Sequence, residues 1–176
     1  MRFIRFFIII NIFIFISSCH LDEKIAFDLD FNSEATIPSI IGIDLPIEIP
    51  IPAIPTNINN KLESLNSKKE YLNTAKLKEL TIKALDPQDQ SFNFLKDIEV
   101  FIKAEGLEEI KIAEKHDIPD DIGNELDLEV KKDKDLSEYI KKDKFNLRVR
   151  ATSRKVLLHS VKVNIYTVLE VTADIF

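Results

Sequence analysis

Apolar and polar residues alternate along most of the chain, a period of two that is typical of strands with one buried face. The pattern is clearest over residues 24–31, and it recurs over residues 98–104, 109–115, 126–130 and 145–151; residues 76–85 also predict a strand. Residues 156–176 predict one long strand, or two strands joined by a bulge. Seven or eight strands at this short spacing predict an antiparallel β-sandwich.

One or two short helices accompany the strands. Thr56 or Asn57 is a candidate cap for a first helix, whose apolar face is formed by Ile58, Leu62, Leu65 and Leu72. Asp135 is three residues before Glu138, a capping-box spacing that predicts one or two helical turns over residues 135–141. Between strands, a turn at residues 86–89 precedes an apolar group that we expect to be buried beneath it, namely Phe92, Phe94 and Leu95.

Residues 37–55 interleave isoleucine with five of the seven prolines. Because proline has no N–H donor, such a segment pairs along one edge only or runs as polyproline II. One interpretation is an extended arm or edge strand that covers the sandwich and prevents edge-to-edge aggregation. The other is a docking strap that binds a partner protein through Ile47, Ile49, Pro50, Ile51, Pro52 and Ile54.

The first 19 residues have the order of a secretory signal. A basic start, with Arg2 and Arg5, precedes an apolar run that is shorter than the roughly 20 residues of a spanning helix, and Ser17-Ser18-Cys19 follows. Residues 16–19 resemble the lipobox of bacterial lipoproteins. The resemblance implies cleavage of a signal peptide, residues 1–18, and acylation of Cys19.

Acyl chains on Cys19 would hold the protein on a membrane, since each buried methylene contributes about 0.8 kcal/mol. Residues 19–23 then form a short tether, and residues 24–176 form a single sandwich domain that includes the Ile/Pro-rich segment. In bacterial lipoproteins the residue after the acylated cysteine helps to sort the protein, and an aspartate there resembles a signal for retention in the inner membrane. This chain has His20 at that position, so the resemblance favours the outer membrane. Which face of that membrane carries the protein is left open.

Composition excludes several classes of function. Without Arg2 and Arg5, 22 basic residues face 30 acidic ones, a net charge of −8, so nucleic acid is not expected as a partner. Three glycines are too few for phosphate-cradling loops of the Walker or dinucleotide type, and no cofactor is expected. One cysteine allows no disulfide within the chain, so packing must provide the stability.

Catalytic and metal-binding patterns are weak, and we expect neither an enzyme nor a metal site. His159 and Ser160 are neighbours that point to opposite faces of a strand, and Cys19 is consumed by acylation. Glu108 and Glu109 are also sequence neighbours, so on a strand their carboxylates would point to opposite faces. The two carboxylates of a glycosidase must instead face the same substrate. An oxygen-rich loop leaves calcium binding open against a solvated turn; it contains Asp117, Asp120, Asp121, Asn124 and Glu125.

Basic residues cluster on and after the strand at residues 145–151: Arg148, Arg150, Arg154 and Lys155. Arg148 and Arg150 share a face, on which they would be solvated or would meet anionic lipid headgroups or an acidic partner. The mixed Lys/Asp runs at residues 131–135 and 141–144 are interpreted as solubilising surface.

Residues 77–176 are similar, in strand order and length, to the late-embryogenesis-abundant type of small β-sandwich, which bears on fold only. For function we expect a non-catalytic, lipid-anchored adaptor that binds a partner protein at the outer membrane. The alternative is a lipoprotein that binds a lipid or another small hydrophobic ligand between its sheets. A cavity of a few hundred Å³ would favour the ligand, and an exposed apolar strip within residues 40–55 would favour the partner.

Overall fold

The computed structural model describes residues 24–175, which form two antiparallel sheets packed face to face. The strands are β1 (Lys24–Ile37), β2 (Pro46–Pro50), β3 (Ile54–Pro55), β4 (Leu72–Asp86), β5 (Leu95–Ala104), β6 (Ile110–Lys115), β7 (Glu125–Asp127), β8 (Glu129–Val130), β9 (Lys144–Ser153) and β10 (Val161–Asp174). Two short α-helices, α1 (Ile58–Ser64) and α2 (Ser137–Ile140), and a 3₁₀ turn (Lys69–Tyr71) complete the fold. The predicted β-sandwich with one or two short helices is confirmed.

One sheet has four strands in the order β1-β10-β4-β7. The other has the order β2-β9-β5-β6-β8, and β3 also pairs with β9. The long strands β1 and β10 pair along their whole length, from Lys24 opposite Asp174 to Ile37 opposite Val161. Bulges in the β10–β4 ladder, one of them between Val168 and Leu169, match the predicted irregularity of the last strand.

The core is the layer between the sheets, where the alternating apolar residues meet. Phe31 of β1 and Phe145 of β9 contact edge to face, with ring centroids 5.1 Å apart, and so join the two sheets. Phe92, Phe94 and Leu95 are buried as predicted. In the described residues the void between the sheets, which is lined by residues such as Ile82 and Ile98, measures about 10 Å³.

The sandwich has two ends, which we call the tip and the base. At the tip, residues 38–45 follow β1 and residues 154–160 precede β10, and a bridge between Ile40 and Leu157 holds the two segments together. Ser153 at the end of β9 accepts the Asp44 N–H at 2.8 Å. The base is the opposite end and contains the start of β1, helix α1, the 3₁₀ turn, helix α2 and the turn between β5 and β6.

Three local predictions differ from the structure. The single strand predicted at residues 126–130 is two short strands in different sheets, β7 beside β4 and β8 beside β6. Residues 156–160, predicted as strand, form part of the tip instead. Helix α2 begins at Ser137, so its N-cap is Leu136 and not the predicted Asp135. Asp135 accepts the N–H groups of Ser137 and Ala75, each at 3.0 Å, and so ties the start of the helix to β4.

The predicted signal peptide, Cys19 and the tether lie outside the described residues. Within residues 24–175, no helix has both the length and the apolar character needed to cross a membrane.

Candidate functional site

The Ile/Pro-rich segment is an edge of the six-stranded sheet, as one of its two interpretations predicted. Strand β2 pairs with β9 from Pro46 opposite Thr152 to Pro50 opposite Arg148, and β3 continues along the same strand. Proline at both ends of β2 suits an edge, because an edge strand needs N–H donors on one side only. The segment therefore closes the sandwich at this side.

The isoleucines predicted to bind a partner mostly face inward in the structure, and partner binding through them stays a prediction. Ile49 and Ile54 are buried, and Ile47 and Ile51 are half-buried and pack against the core. Pairing with β9 places these alternate side chains on the inner face of the sheet. Pro52 is exposed, and the side chain of Pro50 lies outside the described part of the structure.

Exposed apolar side chains are concentrated at the tip instead. Their exposed fractions range from 48% at Val156 to 89% at Ile41, and the group is completed by Ile43, Leu45 and Leu158. The bridge between the buried residues Ile40 and Leu157 brings the two segments side by side. We call these five residues the apolar tip. A contiguous exposed apolar group of this kind is typical of an interaction site.

The charged residues around the apolar tip are neutralised by partners of opposite sign. Lys96 contacts Asp44 at 3.2 Å, Lys155 contacts Asp120 at 2.8 Å, and Lys162 contacts Glu34 at 2.6 Å. Arg154 shares Asp120 at 3.6 Å. The cations beside the apolar tip are thus paired within the chain and do not form a free basic patch that would attract an ionic partner.

Arg148 and Arg150, predicted to share an exposed face, are both engaged by carboxylates. Arg148 donates to Glu109 at 2.6 Å and to Glu48 at 2.9 Å, and its guanidinium lies 4.2 Å from the Phe101 ring centroid. Arg150 donates to Glu99, which lowers the pKa of that carboxyl. Neither arginine is therefore available as a free cation for an anionic lipid or partner.

His116 and Glu114 belong to an ion-pair network on the same outer face. The His116 ring contacts Asp97 through Nδ1 at 3.2 Å and Glu114 through Nε2 at 3.3 Å. Both nitrogens donate only in the imidazolium form, so Glu114 and then Asp97 raise the pKa of His116. Hydrogen bonds from Lys111 and Lys131 lower the pKa of Glu114 to about 2.

Ligand atoms of Glu99, Glu114 and His116 lie within 4.8 Å of one another, a spacing that a metal ion could bridge. Each carboxylate oxygen of the two glutamates already contacts a cationic side chain, however. Lys111 contacts both glutamates, at 3.1 Å and 2.5 Å, and Arg150 and Lys131 occupy the remaining oxygens. A cation would have to displace several charged groups, so this cluster is better described as an ion-pair network.

The oxygen-rich loop and the last histidine are used in local contacts. Asp120 binds Lys155 and Arg154, which lowers the pKa of its carboxyl, and the Asn124 amide donates to the Gln88 carbonyl at 2.6 Å. Glu125 contacts Lys83 at 2.9 Å. His159 contacts the Gln90 side-chain oxygen at 2.9 Å rather than a serine.

The packed interior leaves little space for a small molecule between the sheets. A void of about 10 Å³ is close to the least that holds one water, whereas ligand pockets usually measure 300–1,000 Å³. An enclosed cavity was expected for a ligand-binding protein and an exposed apolar strip for a partner-binding protein. The described residues have the exposed strip, which within residues 40–55 is limited to Ile41, Ile43 and Leu45.

Comparisons with known proteins identify no family. No family model matches the chain, and no curated protein matches it. Solved structures similar to it include the acidic stable capsid of Helicobacter pylori bacteriophage KHP30, with 10% identity, a TM-score of 0.38, and coverage of 86% of this chain and 99% of that one. The decameric BFDV capsid protein has 7% identity, a TM-score of 0.42 and the same coverage. A CBM32-3 module of a family 31 glycoside hydrolase from Clostridium perfringens has 11% identity, a TM-score of 0.32, and coverage of 76% and 74%.

Proposed function

We propose that this protein is a non-catalytic, lipid-anchored adaptor of the cell envelope, attached to the outer membrane through Cys19, which binds a partner protein through the apolar tip. The exposure of five large apolar side chains at one end of an otherwise packed sandwich is the observation that carries the proposal. The lipobox-like residues 16–19 support the anchor.

The geometry of β1 separates the apolar tip from the anchor. Strand β1 contains 14 residues and runs from the base to the tip, a length of about 45 Å at the usual rise of about 3.3 Å per residue. The five Cα–Cα steps from Cys19 to Lys24 span at most about 18 Å. If the tip entered the same bilayer end-on, the tether would be too short, so a tip directed away from that membrane fits better.

The chemistry of the apolar tip fits the apolar surface of a protein. Its side chains are large and aliphatic, and the surrounding ions are paired within the chain. Burial of such a patch contributes about 25 cal/mol per Å² of apolar surface, without the desolvation of free charges. A second copy of the chain is the competing occupant.

Anchoring is tested by mass spectrometry of the N-terminal peptide and by detergent partition. We expect the mature chain to begin at an acylated Cys19 and to enter the detergent phase. Cys19→Ser should abolish both results. An unmodified Cys19 in wild-type protein that partitions into water would contradict the anchor.

Partner binding is tested by affinity purification of the acylated protein from solubilised membranes. The test variant is Ile41→Ser/Ile43→Ser/Leu158→Ser, and the matched control is Tyr71→Ser, because Tyr71 is the large exposed apolar residue of the described chain outside the tip. We expect one stoichiometric partner that is retained by the control and lost by the triple variant.

Two results would overturn partner binding at the tip. One is a partner that both variants retain equally. The other is a wild-type protein that purifies alone and sediments as a dimer, with a dimer that the triple variant loses, since the tip would then bind a second copy.

A further inference from the structure

A cleft of about 640 Å³ opens at the base, between the β5–β6 turn and the segment that joins α2 to β9. Four lysines line it, Lys103, Lys141, Lys142 and Lys144, together with the acids Glu105 and Asp143. Lys141 contacts Glu138 at 2.7 Å and Asp143 contacts Lys69 at 3.7 Å. Lys103, Lys142 and Lys144 form no salt bridge within residues 24–175, and Glu105 forms none there either. The pKa of Glu109 is lowered mainly by Arg148 and also by Lys103, so Lys103 has an acidic neighbour. With four lysines against two acids in its lining, the cleft keeps a net positive charge, and Lys142 and Lys144 contribute most of what is left unpaired.

Buried contacts fix the backbone that holds two of these lysines. The hydroxyl of the buried Thr56 donates to the Lys142 carbonyl at 2.7 Å, and the Thr56 N–H donates to the Asp143 carbonyl at 3.0 Å. Pro55 of β3 pairs with Lys144 at the start of β9. Lys103 is opposite Asn146, so it lies beside the same strand end. The lysines are held at one place rather than spread along a loop.

We infer that this lysine cleft binds phosphate groups, and specifically the phosphates of anionic lipid headgroups in the membrane that holds the protein. Lysine ammonium groups bind phosphate as point charges, and anionic headgroups attract cations that lie within a Debye length of the surface. The location at the base, the end from which β1 extends, puts the cleft near that surface. This part of the inference rests on the proposed anchor at Cys19.

The charge of the whole protein makes a local cationic site useful. The mature chain has a net charge of −8, and an anionic membrane repels it. Arg148 and Arg150 are neutralised by Glu109, Glu48 and Glu99, so they do not offset this repulsion. The lysine cleft provides free cations at the end that faces the bilayer, and it would orient the sandwich with the tip outward.

The test is lysine footprinting of the acylated mature protein, which begins at Cys19. The protein is inserted in two kinds of vesicle, one of phosphatidylcholine alone and one of phosphatidylcholine with phosphatidylglycerol. An amine-acylating reagent and mass spectrometry report the labelling rate of each lysine. We expect phosphatidylglycerol to slow the labelling of Lys103, Lys142 and Lys144 by roughly fivefold. Lys96 and Lys155 at the tip are the internal reference and should not change.

A charge-matched pair of variants tests the same point. Lys103→Gln/Lys142→Gln/Lys144→Gln should lose any preference for phosphatidylglycerol vesicles in a flotation competition. Lys96→Gln/Lys155→Gln/Lys162→Gln, with the same net charge, should keep that preference. Equal behaviour of the two variants, or equal labelling in the two kinds of vesicle, would overturn the inference.

Two further outcomes distinguish a lipid site from a site for free phosphate, and failure of the anchor from failure of the cleft. Protection by millimolar inorganic phosphate in phosphatidylcholine vesicles, without protection by phosphatidylglycerol, would show a site for free phosphate and would overturn the lipid assignment. Failure of the protein to float with any vesicle would contradict the anchor, whereas flotation with an unchanged footprint would contradict only the cleft.

Discussion

The two ends of the sandwich carry opposite kinds of surface. The tip exposes five large apolar side chains, among them Ile41 and Leu158, while the lysines beside it are paired. The base exposes one large apolar side chain of the described residues, Tyr71, while Lys142 and Lys144 form no salt bridge in the described chain. An apolar end with paired ions suits a protein partner, and a cationic end suits an anionic surface. Under the proposed function, this difference would orient the molecule with its base towards the membrane and its tip towards a partner.

The largest expected effect comes from truncation of matched leucines at the two ends. Leu62 of α1 is fully buried at the base, and Leu157 is 4% exposed in the tip bridge. We expect Leu62→Ala to lower the free energy of unfolding by about 3–5 kcal/mol and Leu157→Ala by about 2–3 kcal/mol, because the connecting segments of the tip can close around the smaller residue. Urea denaturation measures both values.

Equal losses, or a larger loss at Leu157, would show that the tip is packed as rigidly as the base. The apolar tip would then be better regarded as part of the fold than as a free surface.

A smaller effect is expected when the hydroxyl that fixes the lysine cleft is removed. Thr56→Val removes the hydroxyl of a buried residue and leaves the Lys142 carbonyl without its 2.7 Å donor, and we expect a loss of about 1–3 kcal/mol in the free energy of unfolding. The exposed Thr36 on β1 is the control, and Thr36→Val should change stability by less than about 0.5 kcal/mol.

The lysine footprint of Thr56→Val gives a second measurement of the same contact. A mobile segment at residues 141–144 should weaken protection by phosphatidylglycerol even though all of its lysines remain. Unchanged stability together with unchanged protection would show that this hydroxyl does not organise the base.

The sheet face between the two ends should show a pH dependence. The pKa of Glu114 is lowered to about 2 by Lys111 and Lys131, and the side chain is 13% exposed. Because the pKa of Glu114 is lower in the folded state than its ordinary value of 4.5, the ionised carboxylate stabilises the folded protein fully above pH 4.5. This stabilisation is lost as the pH falls towards 2. We expect Glu114→Gln to cost about 1–2 kcal/mol at pH 7 and progressively less below pH 4.5.

Glu129 is the matched control for this prediction, because it is opposite Glu114 in the β6–β8 ladder and forms no salt bridge within residues 24–175. Glu129→Gln should leave the urea midpoint nearly unchanged across the same pH range. A constant difference between Glu114→Gln and wild type from pH 7 to pH 3 would contradict the role of the ionised carboxylate.

Local alternation was enough to predict the sandwich, since it runs along β1 and β9 and through most of β5 and β10, and the predicted aromatic group at Phe92 and Phe94 is buried. The functional surfaces depend on long-range pairing and were therefore not predicted. Ile49 faces the core because β2 pairs with β9, whereas Ile41, a few residues earlier, has no strand beside it. A similar alternation of apolar residues is therefore buried at one position and exposed at the other.

The lysine cleft was missed for the same reason. Residues 141–144 contain cations and an acid in mixed order, which is typical of solvated surface, and Lys103 is 39 positions earlier than Lys142 in the chain. Only the pairing of β5 with β9 brings these lysines together. The sequence also predicted an exposed face shared by Arg148 and Arg150, but it did not predict their acidic partners, which come from β2, from β5 and from the residue before β6.

The smallest expected effect concerns the apolar tip itself. Leu158 is 84% exposed, so Leu158→Ser removes almost no buried contact, and we expect a change in the free energy of unfolding within about 0.5 kcal/mol. Partner capture should nevertheless fall, since interface anchors lose their contribution when truncated. Urea denaturation and affinity purification of the same preparation measure the two quantities. A stability loss comparable to that of Leu157→Ala would mean that Leu158 packs against the protein itself, and the contrast between the two ends would then have to be drawn without it.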